Sequence, residues 1–371
     1  MRVAENLNAA LHGLMRRTPD LYLLGEDVAD PYGGAFKITR GLSSSFPERV
    51  LTTPISENAI TGVAAGLALA GDGAIAEIMF GDFATLAFDQ LVNFAAKSVS
   101  MYGDRVPMRM VVRCPVGGGR GYGPTHSQSL QKHFLGVPGL ALYEVSPFRD
   151  NAGVFAEMLA RQEPCVLFED KVLYTRPMDQ VRAPFVLRPP DGSGTARVSL
   201  GGGSGGDPDC VVIATGGTAH RALDAMRTLL LEEEIECTLL VPSRLYPFEV
   251  DLPPTRQVFV VEEGTAGGTW GAEVAHVIHQ RHWDRLARPV TLVHSADSVI
   301  PTAPHLEREV LVGITNGKSN KEIGVVLNIS ESTVKVHVTH ILEKLNASGR
   351  TDAIRVAVQR GLVHFDLAGT A

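Results

Sequence analysis

Glu57, Phe83 and His126 are the residues whose types and placement best suit chemistry. Glu57 stands in TPISEN, just ahead of a helix built largely from Gly and Ala, where small residues let a ligand or a neighbouring subunit approach the backbone. Phe83 stands in MFGDF, in the loop after an apolar strand. His126 closes the glycine-rich segment VGGGRGYGPTHSQ, between Thr125 and Ser127; a long irregular segment of this kind more often carries function than packing. Together they offer a carboxylate for proton transfer, an aromatic ring for stacking and an imidazole that titrates near neutrality. Each also has a plainer role. Glu57 suits the dipole at a helix N-terminus, Phe83 suits a core, and His126 suits any polar loop.

The elements that must position them can be read from the hydrophobic pattern. Over residues 1–188, strand-like runs at Leu21–Leu24, Ala74–Met79, Met108–Arg113, Ala141–Val145 and Cys165–Phe168 alternate with helical patterns at Ile60–Leu69 and Ala84–Ser100. Short apolar strands alternating with helices predict a parallel sheet covered on both faces, whose ligands bind at strand ends and in the loops that follow. Pro189–Asp209, PPDGSGTARVSLGGGSGGDPD, is expected to be a flexible linker. Residues 210–305 repeat the pattern: CVVIATG, a helix over His220–Glu233, CTLLVP, VFVVEEG, a helix over Trp270–Arg281, and VTLVHS. Residues 306–371 have no strand pattern and read as short helices at Leu306–Thr315, Ser319–Leu327, Glu331–Leu345 and Arg350–Arg360.

Composition narrows the class. With 371 residues, 44% hydrophobic and 20% charged, the chain is an ordinary globular sequence long enough for two to three domains, which excludes wholesale disorder. No apolar run of about 18 residues predicts a membrane span, and the N-terminal stretch lacks the unbroken apolar core of a secretory signal, so the chain is expected to be cytoplasmic. Cys114, Cys165, Cys210 and Cys237 have no C-x-x-C spacing and are expected as buried thiols, with no metal site. The net charge of −7 is unevenly spread: from Leu306 onward eight Lys/Arg meet seven Asp/Glu, so the body carries the whole negative excess.

At this point the segments GEDVADPYGGAFKITRGLSSSFPERVLTTPISENAITGVAAGLALAG, AEIMFGDFATLAFDQLVNFAAK and PTHSQSLQKHFLGVPGL matter as a set. In this order they resemble the beta subunit of the thiamine-diphosphate-dependent 2-oxo acid dehydrogenase decarboxylase component, shared by the pyruvate, branched-chain and acetoin enzymes. The likeness runs over about residues 3–305. It implies two doubly wound α/β domains, a transketolase-like pyrimidine-binding domain and a transketolase C-terminal domain. It also implies half of a thiamine diphosphate site, with Mg²⁺ and the diphosphate held by an alpha subunit in an α2β2 assembly. Under it, Glu57 falls on the glutamate that hydrogen-bonds the pyrimidine, Phe83 on the aromatic residue that stacks on that ring, and Ile55 on an apolar backbone contact beside it. His126 falls on the histidine that faces the substrate and the lipoyl arm of an acyltransferase or another acyl-carrier protein. Glu262-Glu263-Gly264 and Gly267-Gly268 match the second domain's pattern and are expected as turns at an interface. Gly71-Asp72-Gly73 only faintly resembles the motif that holds Mg²⁺ in thiamine enzymes, since it precedes a strand, and is expected as a polar turn.

The tail from Leu306 to about 363 resembles the LuxR/NarL-type helix-turn-helix domain, on LEREVL, GKSNKEI, ISESTVKVH and the closing RTDAI. By that resemblance Ser330 caps the recognition helix Glu331–Leu345, Lys335 and Val336 face bases, and Thr333 and Lys321 contact phosphates. The helix itself is electrically neutral, which weakens a phosphate-led affinity. Three functions therefore compete: an enzyme beta subunit bearing a DNA-binding-type tail, a transcriptional regulator that uses the enzyme-like body as sensor or dimerisation platform, and a scaffold whose tail only packs.

Overall fold

The computed structural model describes residues 1–188, 190, 192–201, 207–295, 319–327, 331–345 and 347–359. The chain divides into two units, Met1–Ile300 and Pro301–Ala371, each described by itself.

The first unit opens with α1 (Val3–Arg17), β1 (Leu21–Gly25), the one-turn α2 (Leu42–Ser45), β2 (Val50–Thr52), α3 (Glu57–Leu69) and β3 (Gly73–Glu77). After β3 come a 3₁₀ turn (Gly81–Ala87), a π-helical turn (Gln90–Ala95), α4 (Ala96–Ser98), β4 (Met110–Val116), β5 (Ala141–Glu144), α5 (Asn151–Ala160) and β6 (Cys165–Asp170). Then follow β7 (Phe185–Arg188), β8 (Thr195–Leu200), β9 (Cys210–Ala214), α6 (Ala219–Glu233), β10 (Cys237–Pro242), β11 (Arg244–Tyr246), β12 (Val258–Thr265), α7 (Trp270–His282) and β13 (Thr291–Ser295). Two sheets result, ordered β11-β5-β6-β4-β3-β1-β2 and β13-β12-β9-β10-β8-β7.

In the first sheet β2, β1, β3, β4, β6 and β5 are all parallel. Their residues alternate between two cores, as a period of two requires: Met110, Val112 and Cys114 pack on one face with Ile60, Ala64 and Leu91, while Val111 packs on the other with Leu7, Leu11 and Phe155. Both faces are thus covered by helices, and the first core continues into Val211, Ile213 and Val258 of the second sheet and Trp270 of α7.

Several expectations change. The segment expected as a linker holds β8, which pairs antiparallel with β10 and with β7. Its TARVSL run is β-prone, and partners from distant sequence order it between the glycines. The helix expected over Ala84–Ser100 is broken into 3₁₀, π and α turns. The second sheet is mixed rather than wholly parallel, because β7 and β8 run antiparallel along one edge. Strand β11 leaves the second block to pair antiparallel with β5, closing the first sheet's edge. Glu262-Glu263-Gly264 lies inside β12 and is no turn. The four cysteines are buried free thiols.

In the second unit α8 (Asn320–Leu327), α9 (Glu331–Leu345) and α10 (Arg350–Gln359) enclose Ile323, Val334, Val338, Ile341, Leu345, Ala353 and Val356. The spacing of Val334, Val338, Ile341 and Leu345 is one helical face. Ser319 and Glu322 cap α8 reciprocally, the Ser319 N–H donating to the Glu322 carboxylate at 2.7 Å and the Glu322 N–H to the Ser319 hydroxyl at 3.3 Å. The helix expected at Leu306–Thr315 and the cap expected at Ser330 lie outside the described residues.

Candidate active site

The parallel strands of the first sheet all point their C-terminal ends to one edge, and the sequence places its chemistry there. Glu26 follows β1, Glu57 begins α3 after β2, Phe80 and Phe83 follow β3, the loop to His126 follows β4, and Lys171 follows β6. Loops at this edge escape the ladder's hydrogen bonding, so their side chains converge over the sheet. Gly71-Asp72-Gly73 sits instead at the opposite edge, in the turn before β3; α3 spans 13 residues between it and Glu57, or about 20 Å. The polar-turn expectation is therefore met.

Glu57 is the first residue of α3 and only 6% exposed. Among the described residues no hydrogen bond or ion pair engages its carboxylate, while the helix N-terminus favours its negative charge. Glu26 is equally buried, and its Oε1 has no partner. Burial, then the Glu57 and Asp27 charges, push the Glu26 carboxyl above the usual range. Two buried carboxylates thus share this edge and repel one another. Ile55, two residues before Glu57, is 80% exposed. A large apolar side chain held in water beside a buried carboxylate fits a surface that something else covers.

His126 lies between two aromatic rings, perpendicular to Phe80 at 4.7 Å and to Phe83 at 5.2 Å. The Thr125 hydroxyl is 3.0 Å from His126 Nδ1. The structure therefore brings Phe83 and His126 together, and α3, headed by Glu57, packs against the 3₁₀ turn that carries Phe83.

The loop from β4 to His126 is anchored at both ends. Gly117 adopts φ +88°, which only glycine takes without strain, and its N–H donates to the Gln128 carbonyl at 3.2 Å. The Asp82 carboxylate accepts from the Gln128 side-chain amide at 2.8 Å. The Gly118 N–H and the Ser129 hydroxyl donate to Glu263 of β12 at 3.2 and 2.8 Å. Arg120 donates to the Lys171 carbonyl at 2.6 Å.

Lys171 itself is fully buried with no hydrogen-bond partner for Nζ among the described residues, and Nζ lies 5.9 Å from the centre of the Phe80 ring. Burial pushes its ammonium down to about 8, against the pull of Asp82, Asp170 and Glu263. Asp170 is pushed up to about 6, by burial first and then by the Glu263 charge. Beneath them Arg113 of β4 bridges Glu77 of β3 and Glu169 of β6, at 2.5 and 2.7 Å, and the Tyr174 hydroxyl donates to Glu169 at 2.8 Å. This buried ion group fixes the strand ends on which the site rests.

Glu26, Phe80, Asp82 and Lys171 are not singled out by the sequence, and Glu263 is taken from it only as part of an interface turn. Each is an ordinary residue in its own segment, and only the position of Glu26 and Lys171 directly after apolar strands signals a role. In the second unit Lys321 of α8 and Lys335 of α9 are exposed, and Thr333 and Val336 fall on α9 with Lys335.

Comparison with known proteins agrees with this architecture. Residues 1–177 match the family model described as transketolase, pyrimidine binding domain, residues 204–317 the transketolase C-terminal domain, and residues 305–357 the bacterial regulatory proteins of the luxR family. The pyruvate dehydrogenase E1 component subunit beta of Rickettsia felis is 31% identical over 315 residues, covering 83% of this chain and 93% of that protein. The acetoin:2,6-dichlorophenolindophenol oxidoreductase subunit beta of Bacillus subtilis is 30% identical over 330 residues, covering 83% and 92%. A solved split-gene transketolase, an inactive beta4 tetramer, shares the fold with a TM-score of 0.59 at 18% identity, over 98% of each chain.

Proposed function

Because the chain belongs to the family of pyruvate dehydrogenase E1 beta subunits, we propose that it is the beta half of a thiamine-diphosphate-dependent 2-oxo acid dehydrogenase, active only when paired with an alpha subunit as α2β2. The observation that carries this reading is Glu57, a buried carboxylate without a partner among the described residues, set beside exposed Ile55 at the C-terminal edge of the parallel strands.

The residues present fit the pyrimidine half of the cofactor. Glu57 would accept a hydrogen bond from the ring, Phe83 would offer an aromatic surface, and Ile55 an apolar contact. Bound there, the cofactor supplies a carbon nucleophile for decarboxylation. The alpha subunit is assigned Mg²⁺ and the diphosphate, since the Gly71-Asp72-Gly73 turn lies at the wrong edge for them. His126 serves the substrate side. The Thr125 hydroxyl, 3.0 Å from Nδ1, orients the ring, whose other nitrogen is left to steer a carboxylate or exchange a proton with an acyl acceptor. Phe80 and Phe83 hold the ring by edge-to-face contacts. The disulfide of a lipoyl group on an acyltransferase, or a disulfide of another carrier protein, would accept two electrons and take up the acyl group as a thioester.

The test pairs the chain with a candidate alpha subunit and assays decarboxylation over a panel of 2-oxo acids. Activity is expected from the pair alone. Glu57→Gln is expected to lower kcat by roughly 10²–10⁴-fold while the two subunits still co-purify. Full turnover in Glu57→Gln would remove the assigned role.

The luxR-type match supports a second activity for the tail, recognition of duplex DNA through α9, with exposed Lys321 and Lys335 near the phosphates. Salt-sensitive binding of the purified chain to its own promoter would support a regulatory role for the whole protein.

A further inference from the structure

A cavity of about 400 Å³ in the larger unit takes no part in the site above and contains none of Ile55, Glu57, Phe83 or His126. It opens where the two sheets meet. Phe148 follows β5, Arg176 closes the turn after β6, Arg182 precedes β7, and His220, Asp224 and Arg227 stand on α6.

The charge in this cavity is uncompensated. Arg176, Arg182 and Arg227 form no ion pair among the described residues. Arg227 donates to the Arg182 carbonyl at 3.4 Å, and its guanidinium lies 6.0 Å from the centre of the Phe185 ring, which leaves further N–H groups on its fork. His220 Nδ1 is buried without a hydrogen-bond partner. Three guanidinium groups against one carboxylate leave a concave surface with a positive excess. Such groups repel one another unless an anion joins them, and their planar forks match phosphate oxygens. Phe148 adds an apolar wall, and Asp224 an acceptor suited to a ligand hydroxyl. The volume falls within the range of small-molecule sites.

We propose that this cavity binds a small phosphorylated metabolite, its phosphate held by Arg176, Arg182 and Arg227 and its hydroxyl-bearing remainder set between Phe148 and Asp224. The site stands apart from the thiamine reading, so either fails without the other. One secondary signature follows from His220, which burial and then Arg176 and Arg221 hold down to about 4, with Asp224 opposing. An anion placed beside it raises that value, so near pH 6 the wild type takes up more protons on binding than a His220 variant does, whatever the ligand's own phosphate releases.

The experiment is calorimetric titration of the full chain with adenosine monophosphate, inorganic pyrophosphate and adenosine, in two buffers of different ionisation enthalpy. Saturable binding of both anions at one site per chain is expected, with adenosine at least tenfold weaker. The double variant Arg176→Gln/Arg227→Gln is expected to bind at least tenfold more weakly at an unchanged thermal midpoint. Arg227→Lys is expected to weaken binding by less than the double variant does, since it keeps the charge but loses the planar fork. No saturable binding of either anion would overturn the proposal, as would equal binding by the double variant or equal binding of adenosine. Should the double variant fail to fold, His220→Asn serves instead: lost proton uptake with binding retained supports the placement, and unchanged proton uptake overturns it.

Discussion

The Ser129 hydroxyl donates to the Glu263 carboxylate at 2.8 Å, so a strand of the second sheet holds the loop that delivers His126. The same carboxylate takes the Gly118 N–H, pinning the loop near both its ends. The second block is thereby part of the scaffold of the candidate site rather than an appendage for assembly alone.

Removing that anchor should loosen the loop while sparing the fold. If the chain works with an alpha subunit as proposed, Glu263→Ala is expected to lower kcat of the pair by about tenfold, since misplacing a positioned group by an ångström costs one to two orders of magnitude. Glu263→Gln should retain most activity, and it should bring Asp170 down toward its ordinary range, because the Glu263 charge is the second cause of its elevation. Carboxyl NMR titration of Asp170 reads that shift. An unmoved Asp170 would show that the two charges do not interact.

Glu144 gives the fold a pH dependence. Its carboxylate accepts from the Gly217 N–H at 2.9 Å and from Gln131 at 2.8 Å, yet burial, and then the Asp170 charge, push it up to about 8. A carboxyl raised in the folded state contributes stability that is full below its unfolded value near 4.5 and lost as pH climbs through 8. Over that window the wild-type thermal midpoint should fall. In Glu144→Gln the decline should be shallower, by up to about 1.4 kcal/mol per pH unit at its steepest, with Gln131 turning its amide to face the new side chain. Equal slopes in the two proteins would refute the assignment.

Ile55 should matter to the complex and little to the subunit. At 80% exposure, Ile55→Asp is expected to change stability by less than about 0.5 kcal/mol. In the assembled enzyme it should raise the thiamine diphosphate requirement or weaken alpha-subunit pairing by at least tenfold. Cofactor titration and co-purification separate the two effects.

The tail's charge can be measured by salt. If Lys321 meets a phosphate, Lys321→Ala should weaken DNA binding uniformly across sequences and reduce the salt slope by about 1. Lys335→Ala should instead change preference among operator sequences. An identical slope for wild type and Lys321→Ala would exclude the phosphate contact.

Legibility in the sequence followed the range of the interactions. Apolar strands such as Cys165–Asp170 and Cys237–Pro242 are contiguous runs, and they were read nearly to their ends because burial on both faces demands them. Phe83 and His126 were found by type and by resemblance, but their perpendicular contact depends on two loops 43 residues apart in sequence and could only be seen folded. Lys171 was missed because one lysine after a strand carries no local sign of being sealed among Phe80, Asp82 and Asp170. Strand β8 was hidden by its flanking glycines, and the broken helix after Phe83 by a local pattern that fits one continuous helix.

Strand β11, donated from beyond the glycine-rich stretch, seals the rim of β5, where the Glu144 N–H also donates to the Ser243 carbonyl at 2.8 Å. Cutting the gene near residue 200 would therefore produce a front fragment with a bare row of backbone donors and acceptors along Ala141–Glu144, primed to recruit another copy of itself into aggregates. Any attempt to dissect the protein for expression has to keep that returning strand with the piece it protects.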